Sequence, residues 1–127
     1  MKDNNPLSPH IQIYNWHISS LVSISHRITG VMNILFLSLV CFWVSLLLLG
    51  STSYEVVENF LNSFIGKFII IGMLWSFSFQ ILSEIRHLFL DMGYGFEIKT
   101  SNITGILVII GSFALTIAIY LFSRNLL

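Results

Sequence analysis

Apolar residues run through this chain in three long blocks, and the charges lie between them. No charged residue separates Arg27 from Glu55, and Ile28 to Gly50 is mostly apolar. A second block starts near Phe64 and runs to about Leu90, with Lys67 near its start and Glu84, Arg86 and His87 near its end. Between Lys99 and Arg124 there is again no charge, and Ile103 to Phe122 is mostly apolar. A bilayer core takes about 20 apolar residues per helix. A chain that crosses it must satisfy its backbone internally, so each block is predicted to be a helix. The expected architecture is an all-α integral membrane protein with three transmembrane helices in a single domain spanning 1–127. The N-terminal segment covers about 1–19 and the helices about 20–50, 63–91 and 102–124, joined by short polar connections near 51–62 and 92–102.

Composition supports this class. Of 127 residues, 55% are hydrophobic and 9% are charged, so a water-soluble globule is excluded. Six basic and six acidic residues cancel, which gives no electrostatic case for nucleic acid. The lone Cys41 allows no internal disulfide and no cysteine-based metal site within the chain. The first apolar run is too long and starts too late for a signal peptide, and Asp3 without early arginines argues against a mitochondrial presequence. Lys2, Arg27, Arg86 and Lys99 fall on one side of the membrane, Lys67 and Arg124 on the other. This asymmetry predicts a cytoplasmic N-terminus in a bacterial inner membrane; a mitochondrial inner membrane is the alternative.

Polar residues inside the helices carry the functional information. At 100° per residue, Ser23, His26, Arg27 and Gly30 span roughly 100° of the first helix. Ser76, Gln80, Glu84, His87 and Asp91 span roughly 80° of the second. Both stripes lie toward the same membrane surface. Ionisable groups in membrane helices are costly and face protein or a cavity. Taken singly, each has a plain structural role: Arg27 as an interfacial anchor, His26 as a satisfied interfacial histidine, Arg86 with Asp91 as an ion pair, Glu84 as a bonded acid. Their convergence points to a pocket for a ligand with a polar head and an apolar tail. Elsewhere, Ser38, Cys41 and Ser45, and Gly105, Ser112 and Thr116, form small-residue faces expected at close helix contacts. Tyr14, Trp16, Tyr94 and Phe96 fit an interfacial aromatic belt. Asn102-Ile103-Thr104 fits a glycosylation sequon and is expected to cap the third helix instead.

The order of three blocks is distinctive: Pro6-Leu7-Ser8-Pro9-His10-Ile11-Gln12-Ile13-Tyr14, then Ser23-Ile24-Ser25-His26-Arg27-Ile28-Thr29-Gly30, then Ile85-Arg86-His87-Leu88-Phe89-Leu90-Asp91-Met92-Gly93-Tyr94-Gly95. Together they closely resemble the cytochrome b subunits of succinate dehydrogenase, which are membrane anchors of complex II. The resemblance implies a non-catalytic anchor, not an enzyme alone. It implies partnership with a second three-helix anchor subunit, an iron–sulfur subunit and a flavoprotein subunit. Electrons from succinate would pass through iron–sulfur clusters to ubiquinone, linking the tricarboxylic acid cycle to the respiratory chain. By the same resemblance Ser23 and Arg27 match residues lining the quinone site, and Ile24 and Trp16 match neighbours of the quinone ring. His26 and His87 match residues near the propionates of haem b. Arg86 and Asp91 are expected to order the helix end and a contact between subunits.

Two departures affect the cofactor. The family's axial haem histidine stands seven residues before the histidine of the Arg-His pair, and here that position is Gln80. The family's glycine three residues before that histidine is replaced by Glu84. Glutamine is a poor iron ligand, so the expectation is quinone reduction with weak, altered or no haem. Alternatives open at this point are a quinol:fumarate reductase anchor, a purely structural anchor with no ligand site, and a small transporter subunit.

Overall fold

A computed structural model describes residues 16–48 and 51–126. The sequence blocks containing residues 2 to 14, with Lys2, Pro6 to Tyr14 and the aromatic Tyr14, lie outside the described residues. Four helices follow in order: α1 (Ile18–Leu47), α2 (Ser51–Asn62), α3 (Phe64–Asp91) and α4 (Ile98–Leu126). Three of them are long and apolar enough to cross a membrane, over Ile18–Leu46, Phe64–Asp91 and Ile98–Arg124. At 1.5 Å per residue, 27 to 29 residues exceed the ~30 Å hydrocarbon core, so the ends reach the interfaces.

The connection expected near 51–62 is itself helical. Its polar residues conceal an amphipathic pattern: Tyr54, Val57 and Leu61 are half-buried, one helical turn apart, while Glu55, Glu58 and Asn62 stay exposed. Tyr54 stacks on Trp43 of α1 with ring centroids 6.4 Å apart. The turn into α3 is fixed by Ser63, whose hydroxyl accepts from the Gly66 amide at 3.2 Å. Gly66 is obligatory for space, because a Cβ there would meet the Leu61 Cα at 2.6 Å. At the other end of α3, Gly93 and Gly95 adopt φ of 88° and 87°, the left-handed region that glycine enters without strain, and the chain reverses into α4.

α3 packs against each of the other helices. The buried apolar core is small: Val22, Phe79 and Val108, flanked by Ile18, Trp75, Leu82 and Ile109. Small polar residues complete it. Ser76, Ser78, Ser83, Ser112 and Thr116 are all buried. Among membrane helices such residues permit close backbone approach. Gly105 of α4 does this directly, since a Cβ there would lie 2.8 Å from Ile18 Cγ2. The small-residue face of α4 is thus a packing face. The corresponding α1 face is not: Ser38, Cys41 and Ser45 are exposed, and the two serines return their hydroxyls to the backbone carbonyls of Ile34 and Cys41. Asn102 does not cap α4, which begins four residues earlier; its Oδ1 is buried without a partner among the described residues.

Candidate functional site

The N-terminal half of α1 runs beside the C-terminal half of α3, and their polar stripes meet. His26, Thr29 and Asn33 recur at three- and four-residue spacing and therefore share the α1 face turned to α3. They meet Ser76, Gln80 and Glu84, which recur every four residues on α3. Ser76 Oγ donates to Asn33 Oδ1 at 2.7 Å and also approaches the Thr29 carbonyl at 3.2 Å. Thr29 Oγ1 stands 2.9 Å from Gln80 Oε1, and Gln80 Nε2 stands 2.8 Å from His26 Nε2. His26 Nε2 also lies 2.9 Å from Glu84 Oε1. The His87 ring meets His26 edge-on with centroids 5.5 Å apart.

Donors and acceptors in this chain of contacts balance in one arrangement. A ring nitrogen offers either one hydrogen or one lone pair, so His26 Nε2 cannot both accept from Gln80 and donate to Glu84. Turning the Gln80 amide by 180° exchanges its oxygen and nitrogen without moving other atoms. His26 Nε2–H is then shared by the Gln80 oxygen and the Glu84 carboxylate. The Gln80 amide donates to Thr29 Oγ1, and the Thr29 hydroxyl donates to the Ser25 carbonyl at 2.9 Å. The groups that face each other across the α1–α3 contact are then all bonded, and His26 Nδ1 stands outside the network.

The sequence-derived site residues divide between two settings. His26, Gln80 and Glu84 are brought together, with His87 against them. Ser23 and Arg27 share the neighbouring stripe of α1, four residues apart, and have no part in this network. Ser23 is half-buried and Arg27 exposed, as are Ile24 and, at the start of α1, Trp16. These four belong to a surface that the chain leaves open. Sequence reasoning gives Thr29 no role, yet it is 3% exposed and central to the network. Its position three residues after His26 is the signal that places it on the same face.

Arg86 corrects an expectation. It pairs with neither Asp91 nor any other acid among the described residues. It is 9% exposed and points into α4, donating to Ser101 Oγ at 2.9 Å, Thr104 Oγ1 at 3.2 Å and the Ser101 carbonyl at 3.3 Å. Phe79, Ser83 and Arg86 are all buried on α3, and Phe79 packs with Val22 of α1 and Val108 of α4. Asp91 is exposed at the helix end. A cavity of about 260 Å³ adjoins Arg86, between Leu82, Phe89, Tyr94 and Leu107. A larger one, about 530 Å³ and apolar, lies near Trp43, Phe60 and Met73, toward the other end of the bundle. Neither is lined by Ser23, His26 or Arg27.

Comparison with known proteins adds the family relations. A family described as the succinate dehydrogenase/fumarate reductase transmembrane subunit matches residues 1–119. The succinate dehydrogenase cytochrome b556 subunit of Rickettsia felis is 37% identical over 118 residues, 93% of this chain and 92% of that protein. The b556 subunit of Paracoccus denitrificans is 31% identical over 116 residues, 91% and 89% of the two chains. The succinate dehydrogenase cytochrome b560 subunit of Reclinomonas americana is 34% identical over 125 residues, 92% and 85%.

Proposed function

The chain belongs to the succinate dehydrogenase/fumarate reductase transmembrane-subunit family, and from that membership we propose that it is the cytochrome b-type membrane anchor of a succinate:ubiquinone oxidoreductase. Its long apolar helices hold the soluble iron–sulfur and flavoprotein subunits to a bacterial inner membrane, with the N-terminus cytoplasmic. A second anchor subunit packs on the apolar and small-residue surface left exposed here, including the α1 face of Ser38, Cys41 and Ser45.

The quinone site is built in part by this chain. Ser23 donates a hydrogen bond to a quinone carbonyl, and Arg27 stabilises negative charge that develops on the ring oxygens during reduction. Ile24 and Trp16 pack against the ring. The carrying observation is the open α1 stripe of Ser23 and Arg27 beside a polar network bonded across to α3. A guanidinium on an unfilled membrane-helix face calls for a polar ligand or partner there.

The relatives' cytochrome names imply haem b, which supplies one-electron storage when bound. The residues at this position do not fit a six-coordinate haem. The Gln80 amide, a poor iron ligand, is committed to Thr29 and His26, and Glu84 occupies His26 on the same face. Quinone reduction here needs no haem, because the iron–sulfur subunit adjoins the quinone.

The test is quinone reductase activity of the whole complex carrying Arg27→Ala, beside dye-linked succinate oxidation. Quinone reduction is expected to fall strongly while dye reduction and assembly persist. Unchanged quinone reduction would assign Arg27 to interfacial anchoring and overturn the site.

A further inference from the structure

Resting on the quinone reading above, we infer that Glu84 and His26 form a proton-delivery pair for the quinone site. Reduction of a quinone to a quinol takes two electrons and two protons, and two O–H bonds form. The iron–sulfur partner supplies electrons, not protons. Neither residue assigned to hold the quinone can provide protons repeatedly: arginine stays charged, and a serine hydroxyl is too weak an acid. Histidine and carboxylic acids exchange protons readily near neutral pH.

His26 stands three residues after Ser23 and directly before Arg27, so it lies within one helical turn of both. Its Nε2 faces Glu84 Oε1 across the α1–α3 interface at 2.9 Å. Its Nδ1 has no hydrogen-bond partner among the described residues. The Glu84 side chain is 61% exposed, so one side of the carboxyl is bonded and the other is open to exchange. Each proton passes from the His26 imidazole to a reduced quinone oxygen. Because Nε2 carries the hydrogen in the balanced network, delivery uses the other tautomer. Nδ1–H passes its proton to the quinone oxygen while protonated Glu84 gives its proton to Nε2. The pair resets when the ring hydrogen returns to Nδ1 and Glu84 takes up a proton from water.

A merely structural role for Glu84 is disfavoured by its neighbours. Ser76–Asn33 and Thr29–Gln80 already tie α1 to α3 with neutral groups. The tie between the helices does not require an ionisable side chain. Glu84 acts through His26 and is a positioning and supply residue rather than one that touches the quinone.

The assembled complex with Glu84→Gln tests this. The amide keeps size and hydrogen bonding but cannot carry a proton. Quinone reductase kcat is expected to fall about 10–100-fold, with an increased solvent deuterium isotope effect. The KM for ubiquinone and dye-linked succinate oxidation should hold, and Glu84→Asp should recover part of the rate. If Glu84→Gln fails to assemble, Glu84→Ala assayed with added formate replaces it, and rate recovery by formate is expected. An unchanged kcat and isotope effect in Glu84→Gln, or no formate rescue in Glu84→Ala, overturns the relay. Loss of activity in Arg27→Ala beside a silent Glu84→Gln rejects the relay alone. Silence in both rejects the quinone site as well.

Discussion

Thr29 of α1 and Gln80 of α3 meet hydroxyl to amide at 2.9 Å, and this contact sets how two antiparallel spans face each other. Thr29 is buried, so its hydroxyl can be satisfied only by the Ser25 and His26 carbonyls of its own helix and by Gln80. In lipid no hydrophobic force selects one helix face over another, so specific polar pairs and close packing decide rotation.

A double-mutant cycle with Thr29→Val and Gln80→Leu measures that pair. The coupling is expected to be about 0.6 kcal/mol and no more than ~2, the range found for interhelical hydrogen bonds in bilayers. Unfolding of the complex in detergent, followed for both single variants and the double, gives the value. Strict additivity would show that the contact contributes nothing.

Arg86 is expected to be a structural residue. Arg86→Ala removes the donors to Ser101 and Thr104 and should destabilise the α3–α4 pair by about 1.5–3 kcal/mol. Arg86→Met should cost less, because its unbranched side chain refills much of the buried stem's space. Thermal unfolding of the purified complex ranks them. A loss of quinone affinity without loss of stability would contradict this assignment.

Three glycines should respond in order. Gly66→Ala places a methyl against the α2 backbone around Phe60 and Leu61 and should prevent the α2–α3 corner from forming normally. Gly105→Ala meets Ile18 Cγ2, a methyl on the stiff branched β-carbon, at 2.8 Å, so a loss of about 1–3 kcal/mol is expected. A methyl at Gly72 meets nothing within 4 Å, and Gly72→Ala should stabilise α3 by roughly 0.5–1 kcal/mol. Melting temperatures of the three variants test the order.

On the proposed reading, position 80 decides whether haem is held. Reduced-minus-oxidised spectra of the native complex should lack a stoichiometric six-coordinate b-type signal. Gln80→His combined with Glu84→Gly restores the family's residues at both positions, and haem content is expected to rise. A full six-coordinate signal in the native complex would place the iron on other ligands.

Much of this protein was written in local pattern. The three spans follow from hydropathy alone, because a backbone in lipid has no water to bond and must close on itself. The periodicity of α3 also foretold which of its residues share a stripe. Two features were masked by composition: α2 reads as a polar connection until its half-buried turns are seen, and α4 extends four residues before Asn102. The family resemblance assigned roles to Ser23 and Arg27, while the fold brought neither into the α1–α3 contact. Tertiary structure alone determined that His26, not its neighbour Arg27, turns toward Glu84, that Thr29 bridges to Gln80, and that Arg86 enters α4 rather than pairing with Asp91. Such choices depend on the rotation of each helix about its axis against a particular neighbour. One residue of sequence moves a side chain by 100°, and only packing between helices selects the angle.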